Sequence, residues 1–141
     1  MEIKRILVGV DDSADALLAF DHAIKEAVEH KAELVIASVL ESDEMNVYQA
    51  MDIDYIHGER AELEKHIEDY KKQAEEKGVA KVSVIVGEGK AGEVIVKKII
   101  PQVKPDMLIV GSLAKRGINK YFGSQAAYMA KYSPVSVLVV R

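Results

Sequence analysis

The chain has 141 residues, enough for one domain with a real core, spanning 1–141. Its 23 acidic residues against 19 basic ones leave a net charge of −4, which argues against nucleic acid as the main partner, because phosphate backbones reward clustered Lys and Arg. The absence of cysteine excludes disulfides, thiolate catalysis and Cys-based zinc sites, and the four histidines, His22, His30, His57 and His66, show no metal-ligand spacing among themselves.

Ile3–Val10 is apolar and rich in β-branched residues, which predicts a first strand. It stops at Asp11-Asp12-Ser13, a strand end followed by a helix-cap signal, with Asp12 or Ser13 as the expected cap. Leu17, Phe20, Ile24 and Ala27-Val28 then recur at helical steps and are expected to share one inward face. Leu34–Leu40 is nearly unbroken and apolar, as in a strand covered on both sides. Glu41–His57 has no clear period and reads as a long loop with room for a short helix in it, a class that is usually functional or mobile. Helical spacing returns over Gly58–Lys77, with Leu63, Ile67, Tyr70 and Ala74 inward and Glu64, Glu68 and Lys72 on a solvated side. Gly78 is a natural stop.

Val82–Val86 is the third predicted strand. Gly87–Gly92 reads as a turn; it is glycine-rich but lacks the Gly-Lys-Ser/Thr ending of a phosphate-binding P-loop. A helix over Glu93–Val103 follows, with Ile95, Ile99 and Ile100 inward, and Pro101 predicts fraying or a kink near its end. Met107–Val110 is the fourth strand. A basic, glycine-bearing loop runs from Gly111-Ser112 to Gly123-Ser124 and leads into a helix over Gln125–Tyr132. Ser133-Pro134 breaks that helix before the last strand, Val135–Val140.

Five apolar runs thus alternate with four helical segments, the pattern of repeated βαβ units. The expected architecture is a single doubly wound α/β domain: a five-stranded parallel sheet of order 3-2-1-4-5 with helices on both faces. In that order the crevice opens between the carboxyl ends of strands 1 and 4. The loops there are Asp11-Asp12-Ser13 and 111–123, the two most polar and glycine-marked strand ends. A strand tip, a glycine loop and a helix start form a corner suited to an anion, most often a phosphate. No stretch approaches the ~20 apolar residues of a membrane helix, and no signal pattern opens the chain, so a cytoplasmic location and no membrane partner are expected.

The opening ILVGVDDS, the second strand ending SVLES and the closing block GS…GS before PVSVLVVR resemble the universal stress protein family, over essentially the whole chain. The nucleotide-binding branch of that family carries Gly-x2-Gly-x9-Gly-Ser/Thr in the closing block. Gly111 matches the first glycine and Gly123-Ser124 the last pair. Ala114 stands where the second glycine belongs, and eight residues instead of nine separate it from Gly123. Alanine at a left-handed position costs on the order of 1 kcal/mol, enough to weaken a cradle without abolishing it. Gly117, after Lys115-Arg116, is placed to re-form the bend.

The resemblance implies ATP with Mg²⁺, bound at Gly9, Val10, Asp11, Val39, Gly111, Ser112, Ala114, Gly123, Ser124, Gln125 and Ala126. Asp11 would take a ribose hydroxyl or help hold Mg²⁺, Val39 would touch the adenine ring, and Ser124, Gln125 and Ala126 would present N–H groups to the phosphates. It also implies a homodimer paired through the last strand, whose Val135, Val137 and Val139 point one way and Leu138 and Val140 the other. No general base or arginine finger is evident, so any hydrolysis of ATP is expected to be slow. The alternative reading is a dimeric interaction protein of the same fold whose nucleotide site has decayed. A phosphoryl- or adenylyl-transfer enzyme has only fold-level analogy behind it.

Overall fold

The structure is a computed structural model that describes residues 2–11, 14–40, 53–112 and 124–141, without the side chains of 53–57 and 59. Strands β1 (Arg5–Gly9), β2 (Glu33–Leu40), β3 (Val82–Glu88), β4 (Met107–Gly111) and β5 (Ser136–Val140) form one sheet in the order β3-β2-β1-β4-β5. Every neighbouring pair is parallel. The expected doubly wound order is therefore the observed one.

Side-chain alternation along the strands divides the core into two layers. Ile6, Val8, Val10, Leu34, Ile36 and Ile109 face one side. There they meet helix α1 (Ala14–His30), through Phe20 and Ile24, and helix α2 (Ile53–Glu76), through Ile67 and Ala74. Phe20 and Tyr70 join the two helices edge to face, with centroids 5.0 Å apart. Leu7, Val35, Ala37, Leu108 and Val110 face the other side. The helix that covers them, α3, comes in three pieces: α-helical Ala91–Val94, π-helical Ile95–Ile99 and α-helical Ile100–Val103. Beside it lies α4 (Ser124–Tyr132), which buries Ala126 and Met129.

Three expectations need correction. Leu17 and Val28 do not share the inward face of α1; each is 43% exposed, and Ala16, Ala19, Ala23 and Ala27 take the inward places. Alanines let the helix axis approach the sheet more closely than leucines would, so the buried stripe is shifted round the helix. Helix α2 starts at Ile53, not at Gly58, so the stretch read as a loop to His57 is helical from 53 onward; 41–52 lies outside the described residues. Finally, of the fraying or kink expected near Pro101, only the fraying is corrected. Helix α3 continues to Val103, and the Ile100 N–H bonds five residues back to Ile95 O. A proline crowds the carbonyl four residues before it, and the widened turn just ahead of Pro101 accommodates that conflict. The widening also lets Ile95, Ile99 and Ile100 all face the sheet, at 3%, 2% and 4% exposure.

Asp106 closes the end of the sheet opposite the crevice. Its Oδ2 accepts from Lys4 N at 2.8 Å and Arg5 N at 2.9 Å, and its own N–H donates to Arg5 O. Arg5 then reaches Glu33 Oε2 and the Val103 carbonyl, tying β1 to β2 and to the end of α3. The two backbone N–H donors hold the Asp106 carboxyl below its ordinary value of 3.8. A carboxyl depressed on folding stabilises the fold above its unfolded value, and that contribution disappears as pH falls through the folded one. Asp106→Asn is therefore expected to lower the urea midpoint at neutral pH, and its gap from wild type should narrow in titrations below pH 3.8.

Helices α1 and α3 end on lysines in the left-handed region, Lys31 and Lys104, each at φ 54°. Lys104→Gly should relieve that strain and raise stability by about 0.5–1 kcal/mol in urea denaturation.

Candidate functional site

The order of the sheet reverses between β1 and β4, which pair directly through Ile6–Met107, Leu7–Leu108 and Val8–Ile109. Helices α1 and α2 leave on one face and α3 and α4 on the other, so the carboxyl ends of β1 and β4 are flanked by connections that part from one another. Such a switch point is where doubly wound sheets open a crevice.

The β1 side is held by backbone. Val10, only 6% exposed, donates its N–H to Ala37 O, and its carbonyl accepts from the buried Ser38 hydroxyl at 3.0 Å. Asp11 follows and is exposed at the tip. Gly9 lies against the α3 face, where a Cβ would meet Ile95 Cδ1 at 3.3 Å and Val110 Cγ1 at 3.4 Å. Val39, near the end of β2, is half-buried against the same layer.

The β4 side is closer-packed than the glycine motif alone suggests. A Cβ on Gly111 would stand 2.7–2.8 Å from backbone atoms of Asp15 and Ala16. The first turn of α1 therefore rests on the tip of β4, and only a hydrogen fits between them. The next residue, Ser112, is 5% exposed; its N–H donates to Val140 O at 3.0 Å and its hydroxyl to Asp15 Oδ2 at 2.9 Å. Both donors of Ser112 are thus engaged inside the protein, linking β4, β5 and α1. Asp15 is the neighbour of Ser112 that sequence reasoning misses; its place in the first turn of a helix gives no sign of a partner 97 residues away.

Helix α4 begins one residue earlier than expected, at Ser124, which is exposed. Gln125 is half-buried, and its Oε1 accepts from Gly92 N at 2.7 Å; Ala126 is buried. Ala114 and Gly123, with Lys115, Arg116 and Gly117, lie outside the described residues, as do Asp12 and Ser13. The structure thus places Gly9, Val10, Asp11, Gly111 and Ser112 at adjacent strand tips, with Val39 one strand further and 124–126 opening the helix that leads to β5.

One further grouping was not visible in histidine spacing alone. Glu26, Glu29 and His30 bring ligand atoms within 4.8 Å of one another near the far end of α1. Glu26 there is shared between His22 and His30 at i,i+4 spacing, so an ordinary ladder of surface side-chain contacts accounts for it. No helix among the described residues is long and apolar enough to cross a membrane.

The packing at Gly111 predicts a fold role separable from any ligand. Gly111→Ala should destabilise the unliganded protein by about 1–3 kcal/mol, as overpacking against backbone does, whereas Gly9→Ala should cost clearly less. Urea denaturation without nucleotide checks both.

With this geometry in view, the kinship of the chain is informative. A putative universal stress protein of Staphylococcus aureus (strain USA300) is 28% identical over 139 residues, covering 98% of this chain and 84% of the relative. The universal stress protein UspA from Lactobacillus plantarum superposes at a TM-score of 0.87 with 20% identity, covering 100% of this chain and 99% of the other. A universal stress protein solved in complex with cAMP superposes at 0.76 with 23% identity, covering 100% and 98%. The model of the universal stress protein family matches residues 2–141, and the chain belongs to that family.

Proposed function

We propose that this protein binds an adenine nucleotide, ATP with Mg²⁺, at the β1/β4 crevice and acts as a stress-response regulator in the cytoplasm. The observation that carries the reading is the reversal of sheet order at β1 and β4, with exposed Asp11 at one tip and Gly111-Ser112 at the other. The cAMP complex of a protein with this fold supports the ligand class. In this reading Asp11 offers an oxygen to the ribose or to Mg²⁺, which takes hard oxygen ligands and usually keeps part of its water shell. Val39 supplies an apolar contact for the base. The backbone N–H groups of Ser124, Gln125 and Ala126, at the start of a nine-residue helix, face the phosphates with the positive end of its dipole. Gly123 and Ala114, outside the described residues, complete the set of positions in this reading.

Gly111 and Ser112 act from behind. Their packing against α1 and β5 fixes the floor of the site, and Ser112 contributes rigidity instead of a free hydroxyl. Turnover is slow in this reading, because no general base or arginine finger is assigned.

The alternative, an interaction protein with a decayed site, draws on two observations. Ala114 replaces a motif glycine, and both Ser112 donors are already engaged. Both readings include a homodimer through β5. That edge strand carries half-buried Val137 and Val139 on one face and Leu138 and Val140 on the other, with no charge inside it. An apolar edge of this kind calls for a cover. Neither nucleic acid nor membrane enters either reading.

Isothermal titration with ATP, with and without Mg²⁺, separates them: binding heat at micromolar ATP is expected, and none at high micromolar concentrations favours the decayed site. Ser124→Glu should abolish that heat by placing a carboxylate where phosphate would sit. The same change suits a helix N-terminus, so the unfolding midpoint should hold or rise. Light scattering should give twice the mass of the chain, and the monomer mass would remove the dimer from both readings.

A further inference from the structure

Helix α3 starts without a cap of its own. Lys90 stands at the N-cap position with no side-chain cap hydrogen bond. The N–H of Gly92, one of the donors a helix start leaves unmet, is satisfied from another helix by Gln125 Oε1 at 2.7 Å. Gly92 is also a point of close approach between α3 and α4. A Cβ there would lie 2.9 Å from Gln125 Oε1, 3.1 Å from Tyr128 Cδ1 and 3.2 Å from the Gln125 carbonyl. Every one of those atoms belongs to α4. Alanine is the better helix former, so a glycine inside α3 weakens the helix unless close packing needs it. Here the neighbouring helix needs it.

We propose that Gly92 and the Gln125 side chain are positioning residues, which together set where the first turn of α4 stands and where its N–H groups, which have no acceptor within the helix, point. The proposal rests on the reading of that turn as the phosphate-holding end of the site, and deepens it: Gly92 contacts no nucleotide, yet governs its binding. A methyl group at 92 forces a choice. The flexible Gln125 amide moves away and uncaps α3, or the Tyr128 ring and the Gln125 carbonyl give by a few tenths of an ångström. Either response alters the turn. The glycine-rich stretch 87–92 thereby acquires a use other than a phosphate loop of its own.

The test compares wild type with Gly92→Ala, Gln125→Ala, their double variant and Gln125→Glu, which keeps an acceptor oxygen. Amide exchange in the unliganded protein reads the turn directly. The Gly92 amide reports the cap. The amides of Tyr128 and Met129 report the turn, because their helical acceptors are the carbonyls of Ser124 and Gln125. The Gly92 amide should exchange at least about tenfold faster in Gln125→Ala and stay slow in Gln125→Glu. Tyr128 and Met129 should exchange faster in Gly92→Ala. Titration with Mg-ATP should show affinity about tenfold weaker in each alanine variant, and the double variant no worse than the weaker single one by more than about twofold, because both changes break one contact. Unaltered exchange in both single variants, or losses that simply add in the double, would overturn the proposal. If wild type gives no heat with ATP, the phosphate reading fails, and the exchange rates still decide whether these two residues set the turn. Should Gly92→Ala not fold, Gln125→Ala and Gln125→Glu carry the comparison.

Discussion

The upper end of this molecule depends on a contact between two backbones. The tip of β4 at Gly111 and the first turn of α1 at Asp15 and Ala16 are so close that no carbon atom fits between them. Interiors packed to crystal-like density transmit small displacements and do not absorb them. The Ser112 hydroxyl, bonded to Asp15, closes the same contact from the side, and the Ser112 N–H carries it on to β5. The tip of β4 is thereby held to one helix and to the edge of the sheet, which gives the crevice a rigid floor on that side.

The same economy of space recurs on both faces. Helix α1 lays alanines at 16, 19, 23 and 27 against the sheet and leaves Leu17 and Leu18 outside. On the opposite face, Gly92 lets α3 and α4 meet nearly backbone to backbone. In both places a small residue brings an element closer, and the closeness then orients a helix start at the crevice end. The opposite end is held by charge and hydrogen bonding instead: Asp106 and Arg5 bind β1 to β2, to β4 and to the end of α3.

Strand order and layer assignment are legible in the sequence because they follow from apolar runs alternating with helical periods. The facing of β5, valines one way and Leu138 and Val140 the other, follows from the two-residue period alone. The inward face of α1 is less legible. Periodicity finds a stripe of large apolar residues, but the choice between leucines and alanines depends on how near the sheet the helix must come. The start of α2 at Ile53 is hidden for a different reason: Ile53 and Ile56 keep the helical step, but Gly58 and Arg60 interrupt the apolar stripe before Leu63. In the site, the positions of Asp11, Gly111 and Ser124 follow from strand ends and glycine spacing. Asp15, Gly92 and the Gln125 side chain do not, because each acts through a partner far away in the chain and no local pattern encodes such a pairing.

The π turn at Ile95–Ile99 carries a consequence for descent within the family. A helix with one such turn holds one residue more than a plain helix of the same rise. An ancestor or relative without Pro101 would have no crowded carbonyl to avoid, and losing a residue there would return the helix to ordinary phase without moving β3 or β4. Alignments through this helix should therefore tolerate a single-residue gap between 94 and 101, and proline at 101 should travel with the longer form.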